Sequence, residues 1–394
     1  MRIPCRLPVA LLGLFGCLPP FLCSGAAPAP TPVATDSYIV YVGTFPSPKS
    51  KGIYSFRFDA ATGQPSSSVA TLMAESPKPG TLALHPNGEF LYAANEIDRY
   101  GGKASGAISA FAIREGGRLE LLNVQASGGP GPCYVSVDPS GRCALVAHYN
   151  GGCVSTLPIG PDGRLGEVAT FIQHSGSSVN PQRQTHAYAH WIGTDATGRH
   201  ALVCDLGLDK VFSYRFDAGR AMLEANDPPF VLVKPGSGPR HLAFHPNGRW
   251  AYVINEMGSS MLVFTYDPAR GALHEIQSLS TLPADFTGES TCAEVAVHPN
   301  GRFVYGSNRG HDSIAVYAVD AASGILPLVE HQSTLGRTPR GFALDPSGRW
   351  LLAGNQSSDN IQVFRVDPAT GRLTPTEWKI EVGSPSCFVF VKAR

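Results

Sequence analysis

The chain has 394 residues, with 31 Lys and Arg against 31 Asp and Glu, and carries no formal net charge when its histidines are neutral. There is no basic stripe for nucleic acid and no polybasic tail for anionic lipid, so neither is expected as a partner. The length admits one large β domain or two small ones.

The first segment reads as a leader. Arg2 and Arg6 precede an apolar run, 7–22, followed by Ser24-Gly25-Ala26-Ala27. A charged start, a hydrophobic stretch and a small-residue exit together predict a signal peptide over 1–26, and export to the periplasm or beyond. Pro8, Pro19 and Pro20, and the shortness of the run, argue against a stable membrane span. Leu14-Phe15-Gly16-Cys17 approximates a lipoprotein cleavage site, but the bulky Phe15 argues against anchoring. Residues 27–36, rich in Pro and Ala, read as a flexible lead-in. Cys5, Cys17 and Cys23 go with the leader. Cys133, Cys143, Cys153, Cys204, Cys292 and Cys387 stay, with no CxxC among them. They are expected to be buried small residues with room for one bridge, and no structural zinc is expected.

From residue 37 onward the chain repeats itself. A strand YIVYVGTF (38–45) opens the series. Then follow PGTLALHPNGEFLYAANE (79–96), PCYVSVDPSGRCALVAHYN (132–150), a degenerate HWIGTDATGRHALVCDLG (190–207), PRHLAFHPNGRWAYVINE (239–256), CAEVAVHPNGRFVYGSNRG (292–310) and PRGFALDPSGRWLLAGNQ (339–356). A period of roughly fifty residues built from short strands means one β unit repeated radially or in a stack. Each copy parses into a short first strand, an Asp/His-Pro-x-Gly turn, an apolar second strand, and a third strand such as Met261 to Tyr266 that is expected to alternate at period two. A further turn and a fourth strand complete it. Third strands with their turns begin at Ile53, Ile108, Val154, Val211, Met261, Ile314 and Ile361, which makes seven. The N-terminal strand lacks a first strand, and the chain ends on a lone first strand, 387–391. The two leftovers complete each other. The reading is all-β: a seven-bladed β-propeller of four-stranded antiparallel blades over 37–394, its ring closed by the N- and C-terminal strands.

In such a meander successive connections alternate ends. The Pro-x-Gly turns share one face, where His85, His245 and His298 are expected to be structural. The other face gathers Asn95-Glu96, His148-Tyr149-Asn150, 186–190, Arg240-His241, Asn255-Glu256, Glu294, Asn308-Arg309, Arg340 and Asn355-Gln356 around a funnel. Arginines there suit an anionic small molecule, and His and Glu can move protons. The asparagines serve equally well as loop caps, and the arginines as inter-blade ion pairs. Nothing resembles Gly-x-Ser-x-Gly, HExxH or a nucleotide loop, and no metal or cofactor is expected.

Tyr41-Val-Gly-Thr44, Pro-x-Gly-x-x-x-Tyr-x-x-Asn in the blades, Gly238-Pro-Arg-His241, Asn255-Glu256, Ala293-Glu-Val295 and Ser307-Asn-Arg-Gly310 together resemble the seven-bladed lactonase family. This is the family of cycloisomerase-type bacterial 6-phosphogluconolactonases and fungal carboxymuconate-cyclising enzymes. The resemblance implies metal-free lactone chemistry, with His148, Arg240, Glu256 and Arg309 as the catalytic set. Glu96, His186, His241, Asn255, Glu294, Arg340 and Asn355 are the expected substrate-binding residues, and His148 or Glu256 the base. The expected activity is hydrolysis of a small anionic sugar lactone. The alternatives are muconate-type lactonisation, or a non-catalytic exported propeller binding a partner on the same rim. Two features depart from the family pattern: Cys204-Asp205-Leu206-Gly207 in the fourth blade, and a leader on a chain whose relatives take a cytosolic phosphorylated substrate.

Overall fold

A computed structural model describes residues 36–393. The leader and nearly all of the lead-in lie outside them. Six four-stranded antiparallel sheets follow in chain order: 79–126, 132–173, 189–232, 239–280, 291–333 and 339–381. The remaining sheet pairs the C-terminal strand Pro385–Lys392 with the N-terminal Ser37–Thr44. It continues through Gly52–Asp59 to an outer edge split into Gln64–Pro65 and Thr71–Glu75. We number this closing sheet blade 1 and the others blades 2 to 7. The ring therefore closes as the two leftover strands require.

The first strands line the axis and each touches the next. Second strands are buried along nearly their whole length, and from end to end in Trp250–Asn255 and Cys143–His148, because both faces pack against neighbouring blades. The same packing removes the alternation expected of the third strand. Met261, Leu262, Val263 and Phe264 are all buried, since a blade inside a ring has no solvent face at that depth. All six cysteines of the propeller are free thiols, buried apart from the half-buried Cys387. No bridge is present among them.

Neighbouring blades are latched on the turn face. His85, His245 and His298 each bring Nε2 within 2.8 Å of a turn-glycine carbonyl in the next blade, on Gly141, Gly301 and Gly348 respectively. In the same histidines Nδ1 accepts a turn N–H, as from Asn300 to His298, so Nε2 carries the proton. Tyrosine hydroxyls add a second set, Tyr41 to Gly117 at 2.6 Å and Tyr305 to Gly371 at 3.0 Å.

Candidate active site

One backbone irregularity, repeated in every blade, builds the site. The first strand carries a bulge beside its pairing with the end of the second: Pro79 pairs Asn95 but Thr81 pairs Ala94, and Pro239 pairs Asn255 but His241 pairs Ile254. The shift recurs at Pro132/His148, Ala189/Asp205, Cys292/Asn308, Pro339/Asn355 and Pro385/Thr44. A bulge leaves one residue unpaired and re-aims its side chain. Here it turns Cys133, His190, Arg240, Arg340 and Ser386 toward the axis, where they line a channel of about 370 Å³. The next residue forms a deeper layer, with Tyr134, His241, Glu294 and Cys387 on the same channel.

The second strands obey a companion rule. At or next to their end a buried residue clamps the loop, and in blades 2, 3, 5 and 6 the residue after it faces the funnel. Asn95 bonds Ser76 Oγ and Pro77 O, Asn255 bonds Ser260 Oγ, Asn308 bonds Thr281 O, and Asn355 bonds Thr334 O. In blade 4 Asp205 fills this position. Its Oδ1 accepts from the N–H groups of Tyr188 and Gly207, and its Oδ2 meets His174 Nδ1 at 2.7 Å, so the unusual segment keeps the same task. In blade 3 the clamp position belongs to His148. It is wholly buried, its Nδ1 reaches Cys153 O at 3.2 Å, and burial lowers its pKa to about 4. The funnel residues are the neighbours: Glu96, Tyr149, Glu256 and Arg309.

Several expected site residues are therefore not brought to the cavity. His148, Asn255 and Asn355 sit one position too early on their strands. His186 lies exposed on the loop 174–188, hydrogen-bonded to Thr185, with its ring centroid 4.0 Å from that of Tyr188 and tilted by 41°. The others converge. A funnel cavity of about 320 Å³ is lined by Glu96, Cys133, Tyr149, Arg183, His190, Glu256, Thr291, Arg309 and Arg340. Arg240, His241 and Glu294 line the channel beneath it.

Glu256 organises the arginines. Its Oε2 meets Arg309 Nη2 at 2.9 Å and Arg240 Nε at 3.1 Å, and its Oε1 meets Arg183 Nη2 at 2.5 Å. Burial alone would raise its pKa, but Arg309, Arg240 and Arg183 draw it down to about 2. Such a carboxylate is a poor proton acceptor at neutral pH. Arg240 and Arg309 are fixed further by backbone carbonyls, Arg240 by Ala293 at 2.7 Å and Arg309 by Cys292 at 2.6 Å. Arg240 Nη1 also donates to His241 Nε2 at 3.1 Å. His241 Nδ1 therefore carries the proton and donates to Glu294 Oε1 at 2.9 Å. Glu294 and His241 thus hold Arg240 in place from below.

Two charged groups in the funnel are left open. The Arg340 guanidinium lies 4.5 Å over the Phe45 ring and finds no hydrogen-bond acceptor among the described residues. The Glu96 carboxylate finds no donor among them either, and its pKa is raised by burial, an effect that Arg340, Lys78 and Arg240 partly offset. In the same wall, His190 has an unpartnered Nδ1, and burial, with Arg240, His241 and Arg340 nearby, holds its pKa well below the usual histidine value.

Sequence puts His190 on the funnel face without a role there, and does not point to Arg183 at all. His190 becomes legible once the repeats are aligned on the bulge, where it matches Arg240 and Arg340. Arg183 has no counterpart in any other repeat, so no such alignment finds it.

A family profile described as "Lactonase, 7-bladed beta-propeller" matches residues 39–390. The chain is 38% identical over 306 residues to a 6-phosphogluconolactonase of Bacillus subtilis, covering 77% of this chain and 84% of that one. It is 34% identical over 320 residues to a 6-phosphogluconolactonase of Formosa agariphila, covering 77% and 86%. Among solved structures, a periplasmic gluconolactonase of Pseudomonas aeruginosa superposes with a TM-score of 0.84 at 35% identity, over 91% of this chain and 100% of that one.

Proposed function

Since this chain belongs to the seven-bladed β-propeller lactonases, we propose that it hydrolyses an anionic sugar lactone, as a 6-phosphogluconolactonase does, in the arginine-lined funnel. It is then a carboxylic-ester hydrolase. The observation that carries the reading is the charge of the funnel. Arg183, Arg240, Arg309 and Arg340 meet around Glu256 and Glu96, so positive charge is in excess within a partly dehydrated cavity.

The two open groups divide the chemistry. Glu96 takes a proton from water, and the oxygen so activated adds to the lactone carbonyl carbon. The carbonyl oxygen becomes an oxyanion and is met by the free donors of Arg340. Collapse restores the carbonyl and breaks the ring C–O bond, and the leaving alkoxide recovers the proton from Glu96. The product is an open hydroxy acid. Glu96 suits this task better than His148 or Glu256, the bases expected from sequence. Its raised pKa makes it the stronger base, whereas Glu256 is held ionised by arginines and His148 is walled off from the funnel. His190 is the weaker candidate, since an imidazolium there would face Arg240 and Arg340.

Positive charge from arginine serves where a metal would, so turnover is expected to persist in excess chelator. Purified protein should be assayed with aldonolactones, with and without phosphate, in the presence of EDTA. Hydrolysis above the spontaneous rate supports the reading. Failure on every lactone, or turnover of a muconate instead, removes it. Glu96→Gln should lower kcat by about 10²–10⁴-fold with little change in KM. It should also remove the acidic limb of the pH–rate profile, because the base works only ionised and Glu96 ionises above the usual carboxylate range. An unchanged limb would move the role to another group.

Export follows from the leader pattern and is supported by the Pseudomonas relative, whose name places that protein in the periplasm. Mass spectrometry of protein from its host should find a start near Ala26. A cytosolic protein that keeps Met1 would refute it.

A further inference from the structure

Arg183 differs from the other arginines of the funnel in every respect that matters for recognition. Arg240 and Arg340 come from first-strand bulges, and Arg309 from the end of a second strand. Arg183 comes from the loop 174–188, the longest connection between blades. Its side chain is 42% exposed, against 3% for Arg240 and 14% for Arg309. Its guanidinium donates to no backbone carbonyl among the described residues. What holds it is Glu256 Oε1 at the mouth, with the Tyr149 hydroxyl beside it.

The loop is nevertheless built to present this side chain in one place. Asp209 is buried at its base. Asp209 Oδ2 accepts from Ser178 Oγ at 2.6 Å, Gln184 Nε2 at 2.8 Å and Gly236 N at 2.7 Å, and Oδ1 accepts from Gly238 N at 2.7 Å. Gln184, wholly buried, also bonds Leu206 O at 2.9 Å. Asn180 Oδ1 accepts from the Arg183 N–H itself at 3.0 Å. The backbone on both sides of Arg183 is thus anchored while its head is left at the opening. Glu256 already has two buried arginines, so the third is in excess over what that carboxylate requires. An arriving anion can take Arg183 over without stranding Glu256.

Resting on the lactonase reading, we infer that Arg183 is the specificity-determining residue of the funnel. It binds an anionic group carried by the substrate at the end remote from the lactone carbonyl, while Arg340 and Glu96 act on the carbonyl deeper down. The substrate class is an aldonolactone with a terminal phosphate or carboxylate. Arginine suits both, because its planar fork matches either oxyanion in bidentate fashion.

The test compares 6-phosphogluconolactone, a glucaric acid monolactone and uncharged glucono-δ-lactone on the unmutated protein, Arg183→Ala and Arg183→Lys. Arg183→Ala should lower the ratio of kcat/KM for charged over uncharged lactone by about ten- to a hundredfold, carried by KM, and Arg183→Lys should recover part of it. Whichever charged lactone loses more identifies phosphate or carboxylate as the recognised group. A ratio unchanged by Arg183→Ala overturns the assignment, and so does an equal loss on all three lactones, which would mean that Arg183 only supports Glu256. Calorimetric titration with 6-phosphogluconate and gluconate separates this claim from the lactonase reading. If no lactone is turned over but Arg183→Ala selectively weakens 6-phosphogluconate, the anion site stands and the activity falls. If the unmutated protein hydrolyses lactones and Arg183→Ala leaves both affinities unchanged, the reverse holds.

Discussion

Arg340→Ala is expected to lower kcat on the best lactone substrate by about 10²–10³-fold, equivalent to roughly 3–4 kcal/mol of transition-state stabilisation. The size follows from geometry. Arg340 lines the funnel, lies over Phe45 and bonds no acceptor among the described residues, so its donors are committed to nothing in the resting protein. Removing it should leave the fold intact, because no carboxylate loses a hydrogen-bonded partner. Arg240→Ala should behave differently. Arg240 is one of three cations on the buried Glu256 and also bonds His241 and Ala293, so its loss leaves those groups short of a partner. That variant is expected to lose activity and about 3–5 kcal/mol of stability together. Arg249→Ala, on the turn face and exposed, is the control and should be near wild type in both. Steady-state kinetics with denaturant unfolding on all three proteins separate the cases. Equal activity for Arg340→Ala and Arg249→Ala would remove Arg340 from the mechanism.

A large effect on folding, without any change in the funnel, is expected at the turn latches. Gly348→Ala should cost about 3 kcal/mol, and Gly248→Ala only about 1 kcal/mol. Both glycines adopt positive φ, +73° and +70°, so an L-residue is strained at either position. The difference lies in what a new methyl group would meet. At Gly348 it would stand 2.4 Å from His298 Cε1, the ring whose Nε2 bonds the Gly348 carbonyl. At Gly248 nothing lies within 4 Å. Urea unfolding of the two variants measures the gap. His298→Ala combined with Gly348→Ala should recover part of the loss by removing the clash, at the expense of the hydrogen bond already broken. Equal destabilisation at the two glycines would mean that backbone strain alone operates and that the histidine latch contributes little.

Much of this molecule can be read from its chain because its repeats are separately legible. The Pro-x-Gly turns, the apolar second strands and the unmatched terminal strands together require a closed ring of seven blades, as the sheets bear out. Alternation of the loops then assigns each segment to a face, and with it a structural rather than a funnel place to His85, His245 and His298; that they latch one blade to the next is seen only in the assembled ring. Local pattern decides such features because each depends on residues close together in one strand or turn. It does not decide which of two adjacent residues meets the axis. Asn255 and Glu256, or His148 and Tyr149, are equally polar neighbours at a strand end. Only the bulge opposite them, a matter of pairing between strands, sends the first into a loop clamp and the second into the funnel. The protonation of the site is likewise tertiary. Glu256 and Glu96 have the same chemistry in the chain, and they part because three arginines from different segments close on one and burial dominates the other. Arg183 is the extreme case: a single residue in an irregular loop, with no periodicity to mark it, acquires a role only when the ring brings blade 5's Glu256 within 2.5 Å.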